Sequence, residues 1–217
     1  MGSIVGPRPI GYGPWAVDLS QHNALQENHW SWLADNDCDL VILRACRGIA
    51  PDTQFDFHAR AATRHEMRLG AYLFLQPARL APIRKQVDTF LSIISSRPVD
   101  FLAVDIEDQP NNPWKTTDSP VRSLRQALWL ISVASDIRPH IYTYPSFWSR
   151  WKLGAESTLV HYPLWGAWYP ATREERLAAS PEKAAEKFGR PLAVWQYGGG
   201  PVDGRPSSPK IDKNVVV

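Results

Sequence analysis

The chain has 217 residues, of which 44 % are hydrophobic and 21 % charged, with a formal net charge of +2 at pH 7. That composition fits one ordered domain with a sizeable core. The small charge, with no run of Lys or Arg, excludes a dedicated nucleic-acid binder.

Ten Trp and seven Tyr are the unusual feature. Aromatic faces suit the apolar C–H surfaces of sugar rings, and their other common use is to fill cores. Residues 1–14 form an N-terminal extension that lacks the apolar segment of a secretory leader, and no stretch is long enough to span a bilayer. Residues 15–19, Trp-Ala-Val-Asp-Leu, predict a first strand with Asp18 near its end. Trp30 and Leu33 at helical spacing predict a short helix over 27–36. A second strand is expected over 39–45, ending at Arg47-Gly48, and then a helix over 52–65 with Asp52 as its cap. Cys38 and Cys46 flank that strand, roughly 26 Å apart at about 3.3 Å per residue. A disulfide tolerates only about 4.4–6.8 Å between Cα atoms, so two free thiols packed as small hydrophobes are expected.

A third strand over 69–75 stops at Gln76-Pro77, and 81–95 predicts an amphipathic helix with Ile83, Val87, Phe90, Leu91 and Ile94 on one side. Residues 101–107 then read as one buried strand that delivers two carboxylates. Side chains alternate faces along a strand, so Phe101, Ala103, Asp105 and Glu107 share one face while Leu102, Val104 and Ile106 share the other. Ionised carboxylates in an apolar setting must find partners or shift their pKa values. At the carboxyl end of a barrel strand they would open into an active-site bowl; the plainer reading is that Asp105 to Asp108 begins a solvated loop.

After a loop over 109–113, Ser119-Pro120 opens a helix that continues through Val133, with Pro in a first-turn position. Strands follow over 137–143, 163–169 and 192–197, with helices over 145–151 and 181–188 between them. Gly198-Gly199-Gly200-Pro201 reads as a turn, without the helix that a phosphate loop needs, and 210–217 as a last strand. Strands alternating with helices predict a parallel α/β architecture. Regular barrels take around 250 residues. Residues 15–217 are therefore expected to form a single-domain irregular TIM-like (β/α) barrel with missing helices. Small residues precede larger ones by two at Ala16/Asp18, Gly70/Tyr72, Ala103/Asp105, Ala167/Tyr169 and Ala193/Trp195, while His140/Tyr142 breaks the pattern. Such a ring of small residues beneath Asp, Tyr and Trp fits a tapered barrel topped by a polar-aromatic site.

Taken together, these segments make the chain resemble the glycoside hydrolase family 25 muramidases, the Chalaropsis-type lysozymes, from about Trp15 to about Val215. Val-Asp-Leu-Ser-Gln-His-Asn (17–23) resembles the family's opening Asp-x-Ser motif, and Val-Ile-Leu-Arg-Ala (41–45), Asp52-x-x-Phe55 and Gly70-Ala-Tyr72-x-Phe74 resemble its next segments. Ala103-Val-Asp105-Ile-Glu107 matches the catalytic strand. Tyr142-Thr-x-Pro-Ser-Phe147, Pro163-Leu-Trp165-x-Ala-x-Tyr169, Trp195-Gln-Tyr197 and Ile211-Asp212-x-Asn214 follow in the family's order. The resemblance implies an irregular barrel and a peptidoglycan substrate, cut at the β-1,4 bond from N-acetylmuramic acid to N-acetylglucosamine. It also places the acidic site at Asp18, Asp105, Glu107 and Asp212.

Glycoside hydrolysis needs a protonated acid at the leaving oxygen and a second carboxylate at the sugar carbon. Glu107 is the expected acid, its pKa raised by neighbouring Asp105 and Asp18. Asp105 is expected to orient and stabilise the substrate's own 2-acetamido group, with Asp18 and Asp212 in support. Tyr72, Phe74, Tyr142, Trp165, Tyr169, Trp195, Gln196 and Tyr197 are the candidate groove residues, although Trp165 and Trp195 could equally be core. Two departures stand out: Leu73 occupies a position where the family often has His, and Arg47 could pair with a carboxylate near the bowl. They motivate a rival, a glycan-binding protein of faded catalysis. A second rival is a metal-assisted hydrolase using the four carboxylates. The His residues form no metal-binding spacing, and neither a cofactor nor a metal is expected. A monomer acting outside the cytoplasm on the bacterial wall is expected, delivered through a removed leader or a phage holin-type route.

Overall fold

The computed structural model describes residues 15–109, 111, 113–172, 174–175 and 178–217; the N-terminal extension and two residues of the expected 109–113 loop lie outside this set. The strands are β1 (Trp15–Leu19), β2 (Cys38–Arg47), β3 (Ala50–Pro51), β4 (Arg68–Phe74), β5 (Phe101–Asp105), β6 (His140–Thr143), β7 (Leu164–Ala167), β8 (Val194–Pro201) and β9 (Lys210–Val216). The described helices are α1 (Glu27–Asp35), α2 (Phe55–Arg64), α3 (Ile83–Ile94), α4 (Pro120–Ala134), α5 (Pro145–Arg150) and α6 (Pro181–Phe188). The sheet order is β1-β9-β8-β7-β6-β5-β4-β2-β3, and β1 also pairs with β2, so eight strands close into a barrel with the short β3 outside the ring.

Closure buries the strands on both faces, as parallel strands under helices require. Inside the ring, Ala16, Leu40, Ile42, Tyr72, Phe101, Ala103, Trp165 and Val194 form one cluster. The alternate residues, among them Val17, Val41, Leu43, Leu73, Leu102, Val104 and Leu164, face the helices in a second, larger core. In α3 the buried residues Ile83, Val87, Phe90 and Ile94 recur every three or four positions, so one stripe meets the barrel. Phe90 is fully buried there. Phe90→Ala is expected to cost about 3–5 kcal/mol in urea unfolding; a loss under about 1 kcal/mol would show that this seam is not close-packed. Helix α6 begins where the Ser180 hydroxyl accepts the Lys183 N–H at 3.2 Å and Pro181 fills the first turn, and ends at Gly189 with φ +66°.

Three expectations change. Strand β9 runs antiparallel to both β8 and β1, because no helix intervenes after β8 and a short connection returns the chain in the opposite direction. Residues 198–201, expected as a turn, form the second half of β8, paired from Gly198↔Lys213 to Pro201↔Lys210 after an irregularity at Tyr197. Glycines carry no side chain to show a period, so pairing alone reveals the strand. Finally, β6 begins at His140 and β7 spans only Leu164–Ala167, both shorter than expected. Cys38 and Cys46 are buried and unpaired, and burial pushes both thiols up to about 12. Among the described residues, no helix is long and apolar enough to cross a membrane.

Candidate active site

The site is built by strand ends that point inward together. In β5 the period-two alternation that puts Phe101 and Ala103 inside also puts Asp105 there. Asp105 sits beside Phe74 of β4 and Tyr142 of β6. The chain is held just beyond the strand: the Ile106 N–H donates to the Tyr142 carbonyl at 3.0 Å, and the Thr143 hydroxyl donates to the Ile106 carbonyl at 2.7 Å. The Trp114 indole N–H then donates to the Glu107 carbonyl at 3.1 Å, fixing the backbone that carries Glu107. On the opposite wall Asp18 of β1 lies across from Asp212 of β9.

A polar network links these acids. One oxygen of Asp18 accepts from the Gln196 amide at 2.7 Å and the Asn214 amide at 2.8 Å. The Gln196 side-chain oxygen in turn accepts from the Tyr142 and Tyr169 hydroxyls, at 2.9 and 2.6 Å. Two phenols on that oxygen leave the amide N–H groups for Asp18, which defines the orientation of Gln196. Tyr169 also reaches Asp212 at 3.4 Å. Asn214 accepts the Trp165 indole N–H at 2.8 Å, so the tryptophan of the barrel floor positions an amide rather than a sugar. Asp105 is only 4 % exposed, and its Oδ1 has no hydrogen-bond partner among the described residues.

The electrostatics follow from crowding. Burial, then Asp212, raises Asp18 to about 7 against the pull of the Asn214 and Gln196 hydrogen bonds. Burial, then Asp212 and Asp108, raises Glu107 to about 7. Asp105 is pushed well above the usual carboxylate range by burial, then by Glu107 and Asp18, with Arg44 opposing. Burial raises Asp212 as well, while Tyr169 opposes. Four carboxylates that interact in this way cannot all be ionised near neutrality, and a protonated acid is available beside ionised neighbours.

Not every candidate joins the bowl. Tyr72, Phe74, Tyr142 and Trp165 belong to the inner cluster or pack on it, and Tyr169, 48 % exposed, stands at the rim. Trp195 points the other way: it is 1 % exposed in the outer core, with its indole N–H donated to the Trp168 carbonyl at 3.0 Å. Tyr197 packs beside it, ring centres 5.7 Å apart. The inward pair in β8 is therefore Val194 and Gln196, not Ala193 and Trp195. His140 does lie inside, stacked on Phe101 at 4.1 Å, and burial lowers its pKa to about 4.

Both departures from the family pattern leave the carboxylates untouched. Leu73 is fully buried against the helices, on the face away from the bowl. Arg47 is exposed, hydrogen-bonds the neutral Gln109 side chain and sits 5.7 Å above the Phe74 ring. The basic residue inside is Arg44, paired at 2.8 Å with buried Asp52, whose carboxylate also accepts the Gln21 and Gln54 backbone N–H groups. Arg44 stands two residues after Ile42 and four after Leu40, a spacing that marks it as inward once β2 is known to be inside-facing there. Asn214 has the same signal relative to Asp212.

Gly199 is required for close approach, since a Cβ there would lie 2.4 Å from Asp212 Oδ1. Gly199→Ala is expected to displace that carboxylate and reduce turnover about 10²-fold, the scale of an ångström-sized misplacement, while far-UV circular dichroism stays unchanged. Wild-type turnover in this variant would show that Asp212 placement is not critical.

A family model described as glycosyl hydrolases family 25 matches residues 17–203. No curated protein sequence matches the chain. Among solved structures, the spore cortex lytic enzyme SleM of Clostridium perfringens is 21 % identical, with a TM-score of 0.75 over 97 % of this chain and 69 % of that one. A family 25 glycosyl hydrolase from Bacillus anthracis is 20 % identical, with a TM-score of 0.73 over 97 % and 91 % of the two chains. A muramidase from Acremonium alcalophilum is 20 % identical, with a TM-score of 0.67 over 94 % of each.

Proposed function

The chain belongs to glycosyl hydrolases family 25, and from that premise we propose that it is a muramidase, cutting peptidoglycan at the β-1,4 bond from N-acetylmuramic acid to N-acetylglucosamine. The observation that carries the reading is the buried Asp105 with an unpartnered oxygen, next to a Glu107 raised to about 7. A hexosaminidase that uses its substrate's acetamido group needs this division of labour. Glu107, protonated, gives its proton to the leaving glycosidic oxygen as the C1–O bond breaks. Asp105 accepts the acetamido N–H, so that the acetamido oxygen attacks C1 from the opposite face and closes a ring. Water, deprotonated by the Glu107 carboxylate, then opens that ring at C1, giving net retention through two inversions. Asp18 and Asp212 hold Gln196 and Tyr169 in place around the sugar, and Asp212, after burial, keeps Glu107 from ionising early.

The substrate lies outside the cytoplasm, and two of the similar structures are described as a lytic enzyme of the spore cortex and a muramidase. Mass spectrometry of fragments released from purified walls tests the proposal. Products with N-acetylmuramic acid at the reducing end are expected. A reducing-end N-acetylglucosamine, or walls bound and never cut, would refute it.

A further inference from the structure

A second groove lies on the helical side of the barrel, away from the strand ends that carry the four acids. Its volume is about 680 Å³, and its walls include Arg122, Arg125, Trp129, Arg138, His161 and Tyr162. Helix α4 explains the arrangement. Its inner stripe, Leu124, Ala127, Leu128 and Ile131, packs into the core. Arg122, Arg125 and Trp129 recur at helical spacing on the outward face. Trp129 is 58 % exposed, an unusual setting for the side chain with most to gain from burial. The arginines around it are weakly engaged. Arg125 stands 3.9 Å from Glu156, Arg138 donates to the His161 carbonyl at 3.3 Å, and Arg122 has no ion pair among the described residues.

We propose that this groove is a second glycan-binding site, which takes an uncut peptidoglycan strand through a sugar ring on Trp129 and stem-peptide carboxylates on the arginines. The proposal rests on the muramidase reading and deepens it. Two chemistries meet in the groove: an exposed indole offers a flat apolar face, and guanidinium groups offer paired N–H donors matched to carboxylates. One ligand carrying both a sugar face and carboxylates satisfies both, and the substrate polymer is such a ligand. From Arg122 to Trp129 the helix rises roughly 10 Å at about 1.5 Å per residue, enough for a sugar and its peptide to lie side by side. A site remote from the bowl holds the enzyme on the wall between cuts, because two contacts on one polymer raise the effective concentration at each.

Co-sedimentation of the full chain carrying Glu107→Gln with purified sacculi tests this, with one sacculus sample stripped of phosphate polymers by hydrofluoric acid. Adding Trp129→Ala, or Arg122→Gln with Arg125→Gln, is expected to weaken binding at least five-fold on both samples, and Trp129→Phe to restore most of it. In the otherwise wild-type chain, the same changes are expected to leave turnover of a short soluble muropeptide unaltered. Unchanged binding in the variants would overturn the proposal. So would a loss seen only on unstripped sacculi, which would assign the groove to a phosphate polymer. Failure of the wild type to clear walls is a separate result and bears on the muramidase reading alone.

Discussion

Glu107→Gln is expected to stop the clearing of wall suspensions, lowering turnover by about 10²–10⁴-fold, the usual contribution of a positioned general acid. Glutamine keeps the size and polarity of the side chain but has no proton to give at the pH where the enzyme works. Binding to sacculi is expected to persist, because the floor and rim of the bowl are built by other residues, including Trp165, Tyr142 and Tyr169. A turbidity assay beside a sedimentation assay separates the two properties. A variant that still clears walls at more than about a tenth of the wild-type rate would remove Glu107 from the acid role.

Asp18→Asn is expected to make the protein more stable at alkaline pH while damaging activity. The folded pKa of Asp18 is raised from 3.8 to about 7 by burial and then by Asp212. A raised carboxylate pKa means that the native state holds a proton the unfolded chain has released. That contribution to stability is fully present below pH 3.8 and is lost as pH rises through about 7. Above that pH the native state carries a buried charge facing Asp212. Asparagine removes the charge, and its side-chain oxygen can still accept from Gln196 and Asn214. A rise in Tm of about 4–8 °C at pH 8 is expected, on the order of 2 kcal/mol for a chain of this size, shrinking toward zero near pH 4. An equal effect at both pH values, or destabilisation at pH 8, would contradict the electrostatic account. Stability traded for function in this way is common where charges are crowded for chemistry.

The same residues show how far sequence reasoning reaches. Asp18, Asp105 and Glu107 could be picked out because acids at the ends of apolar, period-two runs have few structural reasons to be there, whereas Asp212, ahead of the apolar run of its strand, was indicated by the family resemblance alone. The strands and helices around the barrel were legible for the same reason, since hydrophobic period distinguishes them. The face of Trp195 was not legible. Val194 and Trp195 are both buried apolar residues, so in a strand covered on both sides the alternation gives no sign of which points inward. Arg44 was hidden by its partner: only the fold brings Asp52, from beyond β3, against it. The strand at 198–201 was disguised by three glycines and a proline, and its pairing depends on β9, which follows only after residue 209. Leu73, a departure from the family pattern, lies on the outer face, a side its neighbours Tyr72 and Phe74 do not reveal by polarity.

Everything in the mechanism depends on Glu107 remaining protonated in the range where its neighbours have begun to ionise. Carbon-13 NMR titration of the Glu107 carboxyl carbon measures that directly. A midpoint near 7 is predicted for the wild type, falling when Asp212→Asn removes the neighbouring charge. A midpoint near the ordinary value of 4.5, insensitive to that substitution, would contradict it.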